Sequence, residues 1–181
     1  MKILVPLAEG FEEIESVTPI DILRRAGLDV ITAGIAKGPV QGSHGIRITP
    51  DAYLDDIKLD DIDVLVLPGG YPGYVNLEKD ERIIRMISEM IRADRYVAAI
   101  CCAPYVLLRA GLLEGRKATI SPSGKGHMPG DKYLDDRVVV DGKIVTSKSP
   151  GTAMEFSLKL VEILAGKEKA AEIAKQVLAR L

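Results

Sequence analysis

Apolar and polar positions follow two different periods along the chain. Short, continuously apolar runs alternate with longer segments in which apolar side chains recur every three or four positions. The first pattern is typical of strands buried on both faces of a parallel sheet, and the second is typical of amphipathic helices that cover such a sheet. The strands predicted in this way are Lys2–Leu7, Asp29–Ala33, Asp63–Leu67, Tyr96–Ile100 and Lys117–Ile120.

The helical pattern recurs between these strands. Helices are predicted over Ile14–Arg25, Lys79–Ala93 and Ala103–Ala110, and from Gly151 to the end with a break at Gly166. Two further segments alternate more weakly: Pro39–Ile48 as a hairpin arm or a short edge strand, and Arg137–Ser147 as a hairpin. Strands that alternate with helices predict an α/β fold with helices on both faces of a mainly parallel sheet. We expect residues 1–181 to form a single domain.

Composition and charge exclude several classes of protein. The chain is 47% hydrophobic and 28% charged, which is typical of a globular protein. The net charge of −2 gives no reason to expect nucleic acid or an anionic membrane surface as a partner. No apolar run is long enough to span a bilayer, and MKILVPLAEG is interpreted as a first strand rather than a signal. Cys101 and Cys102 are the only cysteines, and this pair indicates a reducing, cytoplasmic environment.

Three loops are expected to meet at the carboxyl ends of the strands, where open α/β sheets form their sites. They are residues 9–15, residues 68–73, and the turn that holds the two cysteines. Residues 121–131, SPSGKGHMPGD, are long and glycine-rich enough to form a functional flap.

Cys101 is the first residue after a buried strand, so a sharp strand-to-helix turn would hold its thiol at the top of the sheet. We expect the start of the following helix to lower the pKa of this thiol. Cys102 is interpreted instead as a small buried apolar residue. Gly69 and Gly70 would let backbone N–H groups approach a substrate oxygen, and Glu15 would supply a buried carboxyl able to donate or accept a proton.

Four stretches carry a resemblance to a known family: EGFEEIES (9–16), VLVLPGG (64–70), AAICCAP (98–104) and TSKSPGTAMEFSLKLVEILAGKEKA (146–170). In their order and spacing they resemble the ThiJ/PfpI superfamily, in the branch of the parkinsonism-associated protein deglycase and its bacterial relatives. The resemblance implies a flavodoxin-like three-layer sandwich with a nucleophile elbow. It also implies a homodimer without a metal or an organic cofactor.

The same resemblance implies roles for individual residues. Cys101 takes the place of the reactive elbow cysteine, and Glu15 takes the place of the glutamate whose protonated carboxyl hydrogen-bonds that cysteine. Gly69 and Gly70, with the N–H of Cys102, match the backbone donors to a substrate oxygen.

The sequence departs from the family pattern at the histidine that often accompanies the cysteine. That position reads Ser121 here, and the chain contains only His44 and His127. Either histidine could be an accessory residue, and Ser121 is a third candidate. The departure weakens a peptidase mechanism, because that mechanism needs a base beside the thiol.

Three functions remain open at this point. The first is an enzyme that converts small 2-oxoaldehydes to hydroxy acids or removes early glycation adducts. The second is a sensor of oxidative stress or a chaperone, in which Cys101 becomes a sulfinic acid. The third is an intracellular peptidase or another hydrolase. The expected partner is a small aldehyde or a glycated substrate.

Overall fold

The computed structural model describes residues 1–127 and 132–180, except for the side chains of Lys125 and His127. The strands run in chain order as β1 Lys2–Leu7, β2 Asp29–Gly34, β3 Val40–Gln41, β4 Arg47–Ile48, β5 Ala52–Tyr53, β6 Val64–Leu67, β7 Tyr96–Ile100, β8 Val138–Asp141 and β9 Ile144–Ser147. Seven of them form one sheet in the order β5-β2-β1-β6-β7-β9-β8. Neighbouring strands are parallel except β8, which is antiparallel to β9.

Helices cover both faces of the sheet. They are α1 Glu13–Arg25, α2 Gly73–Lys79, α3 Glu81–Arg92, α4 Pro104–Arg109, α5 Ala153–Ala165 and α6 Lys167–Gln176. Residues of α1, α5 and α6 share one hydrophobic core with one face of the sheet, and residues of α2, α3 and α4 share a second core with the other face. This is the predicted three-layer α/β sandwich.

The strands contribute alternate side chains to these two cores. In β1, Ile3, Val5 and Leu7 belong to the first core and Leu4 belongs to the second. Because side chains of a strand point alternately to opposite faces, a strand covered on both faces needs apolar residues at every position. The continuous apolar runs of the sequence therefore have a direct structural cause.

The prediction of a strand at Lys117–Ile120 is wrong. Ala118 makes a single bridge, to Tyr133, and its N–H donates to the carbonyl of Lys132. The N–H of Thr119 donates to the side-chain oxygen of Thr146 at 2.9 Å rather than to a strand backbone. Residues 118–120 are buried although they belong to no strand, so burial here produces an apolar run without a strand ladder.

The predicted helix Lys79–Ala93 is confirmed as α3, Glu81–Arg92, with limits that differ by one or two residues. Lys79 ends α2, and Asp80 lies between the helices in an extended conformation. The side chain of Asp80 accepts a hydrogen bond from the N–H of Arg82, so it caps the start of α3. Helix α2 and the two-residue strand β5 were not predicted.

Segment Pro39–Ile48 forms a hairpin, in which β3 and β4 pair with each other outside the main sheet. It is joined to the site end of the sheet by a bridge between Phe11 and Gly42. In the predicted flap, residues 122–127 form a 3-10 turn and residues 128–131 lie outside the described part of the chain. Within the described ranges, no helix combines the length and the apolar character that a bilayer crossing requires.

Candidate active site

Cys101 lies at a sharp turn between β7 and α4. Its φ of 62° is in the left-handed region, which a side-chain-bearing residue rarely adopts. Two hydrogen bonds hold this turn: the N–H of Cys101 donates to the carbonyl of Ser147 at 3.0 Å, and its carbonyl accepts from the N–H of Ser121 at 2.9 Å. The strained conformation is therefore fixed by two neighbouring segments, and it holds the thiol at the carboxyl end of the sheet.

Glu15 lies beside this thiol, in the first turn of α1, and is fully buried. Its Oε2 accepts a hydrogen bond from the N–H of Gly69 at 3.1 Å, and its carboxyl interacts with the thiol of Cys101. Oε1 accepts no conventional hydrogen bond from the described residues. A Cβ built on Gly69 would lie 2.5 Å from Oε2 and 2.8 Å from the Cβ of Cys101. Only a glycine leaves room for the carboxyl and the thiol to meet here.

Burial is the main cause that raises the pKa of Glu15, and it raises it to about 8. The hydrogen bonds with Cys101 and Gly69 oppose this shift, whereas the negative charge of Glu12 adds to it. The carboxyl of Glu15 is therefore protonated at neutral pH and lies close to the point at which it releases its proton.

The two thiols have pKa values shifted in opposite directions. Hydrogen bonding to Cys102, burial and the carboxyl of Glu15 raise the pKa of Cys101 above its ordinary value. The pKa of Cys102 is lowered to about 6, because it accepts hydrogen bonds from Cys101, Ser123 and Ser121, which outweigh its burial.

From the sequence, the lowered pKa was expected at Cys101, the first residue of the turn. Helix α4 has only six residues and begins with Pro104, which has no N–H. The N–H of Ala103 is used by the carbonyl of Ile100. The start of α4 therefore offers little positive potential to an anion at Cys101.

The predicted backbone donors have separate uses. The N–H of Gly69 donates to Glu15, so it orients the carboxyl rather than a substrate oxygen. Gly70 has a φ of 93°, and a Cβ there would lie 2.2 Å from the N of Glu12. The loop of residues 68–73 thus approaches the loop of residues 9–15 so closely that only a glycine fits at position 70. The role of Gly70 and Cys102 as donors to a substrate stays a prediction.

The side chain of Ser121 is buried and lies in the site, as its motif position implies. Its hydroxyl lies 2.9 Å from that of Ser123, which in turn lies 3.9 Å from the sulfur of Cys102. Ser123 was not identified from the sequence, although it lies only two residues after Ser121. The side chain of His127 lies outside the described part of the structure.

His44 is placed on the surface of the hairpin, with a side chain that is 72% exposed. Its Nδ1 lies 2.9 Å from Oε2 of Glu13 and 3.9 Å from Oε1 of Glu12. None of the described contacts of His44 reaches a cysteine. The donor atoms of Glu12, Glu13 and His44 lie within 4.8 Å of one another, so these residues could hold a metal ion. Their own hydrogen bonds already give them a structural use, because Glu13 accepts from the N–H groups of His44 and Ile46.

Three tyrosines beside the thiols were also not identified from the sequence. The rings of Tyr74 and Tyr105 stack with centroids 5.8 Å apart, and Tyr71 lies against Tyr74 with centroids 6.4 Å apart. The N–H of Tyr74 donates to the carbonyl of Gly70, and that of Tyr105 donates to the carbonyl of Cys102. Each stacked ring thus follows a site loop by one helical turn, a spacing that the sequence could have revealed.

A cavity of about 710 Å³ lies away from this site, between β8, α5 and α6. Its lining includes Arg137, Leu158 and Ala170, and none of the predicted site residues. The cavity lining contains no thiol and no residue with a left-handed backbone, whereas the turn at Cys101 combines a thiol, a buried carboxyl and a strained backbone. We therefore take the turn as the candidate active site.

Comparisons with known proteins agree with the family that the four sequence motifs indicate. The chain is 41% identical over 175 residues to the glutathione-independent glyoxalase DJR-1.2 of Caenorhabditis elegans, covering 96% of this chain and 92% of that protein. It is 34% identical over 167 residues to deglycase TK1284 of Thermococcus kodakarensis, covering 91% and 99%. The chain spans less than half the length of DJ-1 homologs A and B of Arabidopsis thaliana, 46% and 42%, with 40% and 43% identity.

Among solved structures, that of oxidized DJ-1 from Toxoplasma gondii matches with a TM-score of 0.96 at 38% identity, covering 99% of both chains. This match confirms the flavodoxin-like sandwich. The model of the DJ-1/PfpI family matches residues 1–163. The chain therefore belongs to the DJ-1/PfpI family, as its four sequence motifs predicted.

Proposed function

We propose that this protein is a cysteine-dependent enzyme that needs no cofactor and converts small 2-oxoaldehydes to 2-hydroxy acids. Early glycation adducts, which are formed by the same aldehydes, would be related substrates. The names of two relatives, a glyoxalase and a deglycase, support this class of activity.

The observation that carries the proposal is the buried carboxyl of Glu15 against the thiol of Cys101. A glyoxalase must move a proton from one carbon of the substrate to the next. A carboxyl with a pKa of about 8 suits this task, because it can both donate and accept a proton at neutral pH.

The reaction begins with a proton transfer between the two thiols. Cys101 gives its proton to the thiolate of Cys102 and adds to the aldehyde carbon, while Glu15 protonates the aldehyde oxygen. The product is a hemithioacetal. Cys102 thus acts as the local base at a site where no histidine contact is described.

The carboxylate of Glu15 next removes the hydrogen of the former aldehyde carbon as a proton and returns it to the neighbouring carbon. At the same time the proton of the new hydroxyl group passes to the oxygen of the neighbouring carbon, so the hemithioacetal becomes a thioester of the 2-hydroxy acid. Water then cleaves the carbon–sulfur bond, which releases the acid and restores the Cys101 thiol. A proton passes from Cys102 back to Glu15, which restores the starting state of both groups. The net change is the addition of one water molecule to the substrate, so no oxidant or reductant is consumed.

The test is lactate formation from methylglyoxal by pure protein without glutathione. The wild-type chain should form lactate. Cys101→Ser should abolish the activity, and Glu15→Gln should abolish most of it, because an amide cannot shuttle a proton. Full turnover by Glu15→Gln would rule out this role for Glu15.

A second candidate function is the sensing of oxidants by Cys101. The solved Toxoplasma relative is an oxidized form, and a neutral Glu15 could donate a hydrogen bond to an oxidised sulfur. Peroxide treatment followed by mass spectrometry would test it. A gain of oxygen at Cys101 in a protein without aldehyde turnover would favour sensing over catalysis.

We further propose that the chain forms a homodimer. Ile14 and Val17 are exposed on one face of α1, and Ile46 is exposed on the hairpin that hydrogen-bonds to Glu13. Apolar side chains grouped in this way favour burial against a second copy. In such a dimer, Lys148-Ser149-Pro150 would lie close to the partner's site.

A further inference from the structure

The tyrosines Tyr71, Tyr74 and Tyr105 form a continuous aromatic surface beside the candidate active site. The Tyr74–Tyr105 stack is nearly parallel, with 22° between the ring planes, and Tyr71 extends it at 52°. Half of the six tyrosines of the chain are therefore gathered at one place. We call these three residues the tyrosine platform.

The platform is partly open to solvent. Tyr71 is 73% exposed, and Tyr74 and Tyr105 are intermediate between buried and exposed. The phenylalanines Phe11 and Phe156, in contrast, are fully buried in the hydrophobic core. Tyr105 packs against the second hydrophobic core, whereas Tyr71 and Tyr74 belong to neither core. Core packing therefore does not explain the positions of Tyr71 and Tyr74.

The two site loops fix the platform next to the thiols. The backbone N–H of Tyr74 donates a hydrogen bond to the carbonyl of Gly70, and that of Tyr105 donates one to the carbonyl of Cys102. Electrostatics agree with this placement: burial, and after it the charge of Cys102, are the two largest causes that raise the pKa of Tyr74. A molecule bonded to Cys101 therefore has the platform within reach.

We propose that the tyrosine platform is a subsite for a flat aromatic group attached to the carbonyl carbon of the substrate, so that aryl 2-oxoaldehydes are preferred over methylglyoxal. This inference rests on the proposed function, because it names the class of aldehyde that the same thiol would attack. An aromatic ring can lie offset on Tyr74 or edge-on to Tyr71, and both arrangements stabilise aromatic pairs. The methyl group of methylglyoxal is too small to make either contact.

The test compares phenylglyoxal with methylglyoxal as substrates and measures the ratio of their kcat/KM values. Tyr74→Leu removes the ring while keeping much of the apolar volume, and it should lower this ratio by about threefold to tenfold, the usual size of an aromatic pair. Tyr74→Phe keeps the ring and is the matched control, so its ratio should stay at the wild-type value. An unchanged ratio in Tyr74→Leu, or an equal fall in Tyr74→Phe, would overturn the inference.

Tyr71→Leu keeps the test decisive if Tyr74→Leu does not fold. Tyr71 is mostly exposed, so its replacement should leave the fold intact and lower the ratio in the same direction. A ratio that stays unchanged in this variant as well would count against the subsite.

A binding measurement separates this inference from the proposed function. The ligands are mandelate and lactate, the hydroxy acids expected from phenylglyoxal and methylglyoxal. Each is titrated into Cys101→Ser, which should not turn over substrate, while tyrosine fluorescence is recorded. The chain has no tryptophan to obscure this signal. Mandelate should bind more tightly than lactate, and Tyr74→Leu in the same background should remove the difference. If wild-type protein forms no hydroxy acid from either aldehyde but this difference is found, the proposed function fails and the subsite stands. Equal binding of mandelate and lactate would overturn the subsite whatever the activity.

Discussion

The stability of the protein should depend on pH through Glu15, and Glu15→Gln provides the test. A raised pKa means that the folded chain keeps a proton that the unfolded chain releases once pH exceeds the ordinary value of 4.5. The stabilisation that Glu15 gives in its protonated form is complete below that pH. It is lost progressively as pH rises towards the folded-state pKa of about 8.

The size of the effect follows from this interval. One bound proton changes the free energy of unfolding by about 1.4 kcal/mol for each pH unit, so the whole interval corresponds to on the order of 4 to 5 kcal/mol. Cys102 acts in the opposite direction. Its pKa is lowered from 9.0 to about 6, so it stabilises the fold increasingly as pH rises above about 6. The two effects oppose each other between about pH 6 and 8, and Glu15 acts without this opposition below pH 6.

The assay is urea unfolding of wild-type protein and Glu15→Gln at pH 5 and pH 6. The amide introduced by this substitution has the shape of a protonated carboxyl and keeps an oxygen for the N–H of Gly69, so the two proteins should have similar stability at pH 5. Between pH 5 and pH 6 the free energy of unfolding of the wild type should fall by about 1.2 kcal/mol more than that of the variant, because the unfolded chain still binds part of the proton at pH 5. Glu114→Gln, at an exposed position, controls for the loss of one carboxyl. Parallel pH dependences of wild type and Glu15→Gln would refute the assignment of a proton to Glu15.

Three further predictions concern the thiol, the loop and the assembly. Cys102 should react with iodoacetamide before Cys101 at pH 7, because its pKa is about 6. Ser123→Ala should slow the labelling of Cys102, because it removes a hydrogen-bond donor to that sulfur. Peptide mass spectrometry would show both effects. Gly69→Ala should lower the melting temperature and the aldehyde activity together, because its Cβ would lie 2.5 Å from the buried carboxyl oxygen. Ile14→Glu combined with Val17→Glu should convert a dimer to a monomer of 19.6 kDa in light scattering.

Each of these predictions has an outcome that contradicts it. Faster labelling of Cys101 than of Cys102 would show that the anion lies on the elbow thiol after all. Full activity in Gly69→Ala would mean that the loop can move without disturbing the carboxyl. A monomeric mass for the wild-type chain would remove the proposed interface.

The sheet was predictable from sequence where burial on both faces imposed a continuous apolar run. Strands β1, β6 and β7 are of this kind, and their predicted limits hold to within one residue. The same signal failed at Lys117–Ile120, because residues 118–120 are buried without belonging to a strand. Strand β5 has only two residues, both half-buried, and such a short element leaves no pattern.

The site was predictable only in part, for a similar reason. The position of Cys101 after a buried strand identifies the turn, and the motif position of Glu15 identifies its neighbour. The pKa order of the thiols depends on hydroxyls at Ser121 and Ser123, which only the fold brings to Cys102. The acceptor of the Gly69 N–H lies 54 residues away along the chain, so no local pattern could reveal it.

The carboxylate of Glu13 links the β3–β4 hairpin to the candidate active site through hydrogen bonds. It accepts hydrogen bonds from the N–H groups of His44 and Ile46, while Glu15 lies only two residues further along the same first turn of α1. The hairpin is therefore bonded to the same helical turn that carries the carboxyl beside Cys101. If a second subunit binds at Ile46, assembly and ligand binding are thermodynamically linked, and each must change the free energy of the other by the same amount. A substrate that shifts Glu15 would then strengthen or weaken the dimer, and the oligomeric state would report the chemical state of the active site.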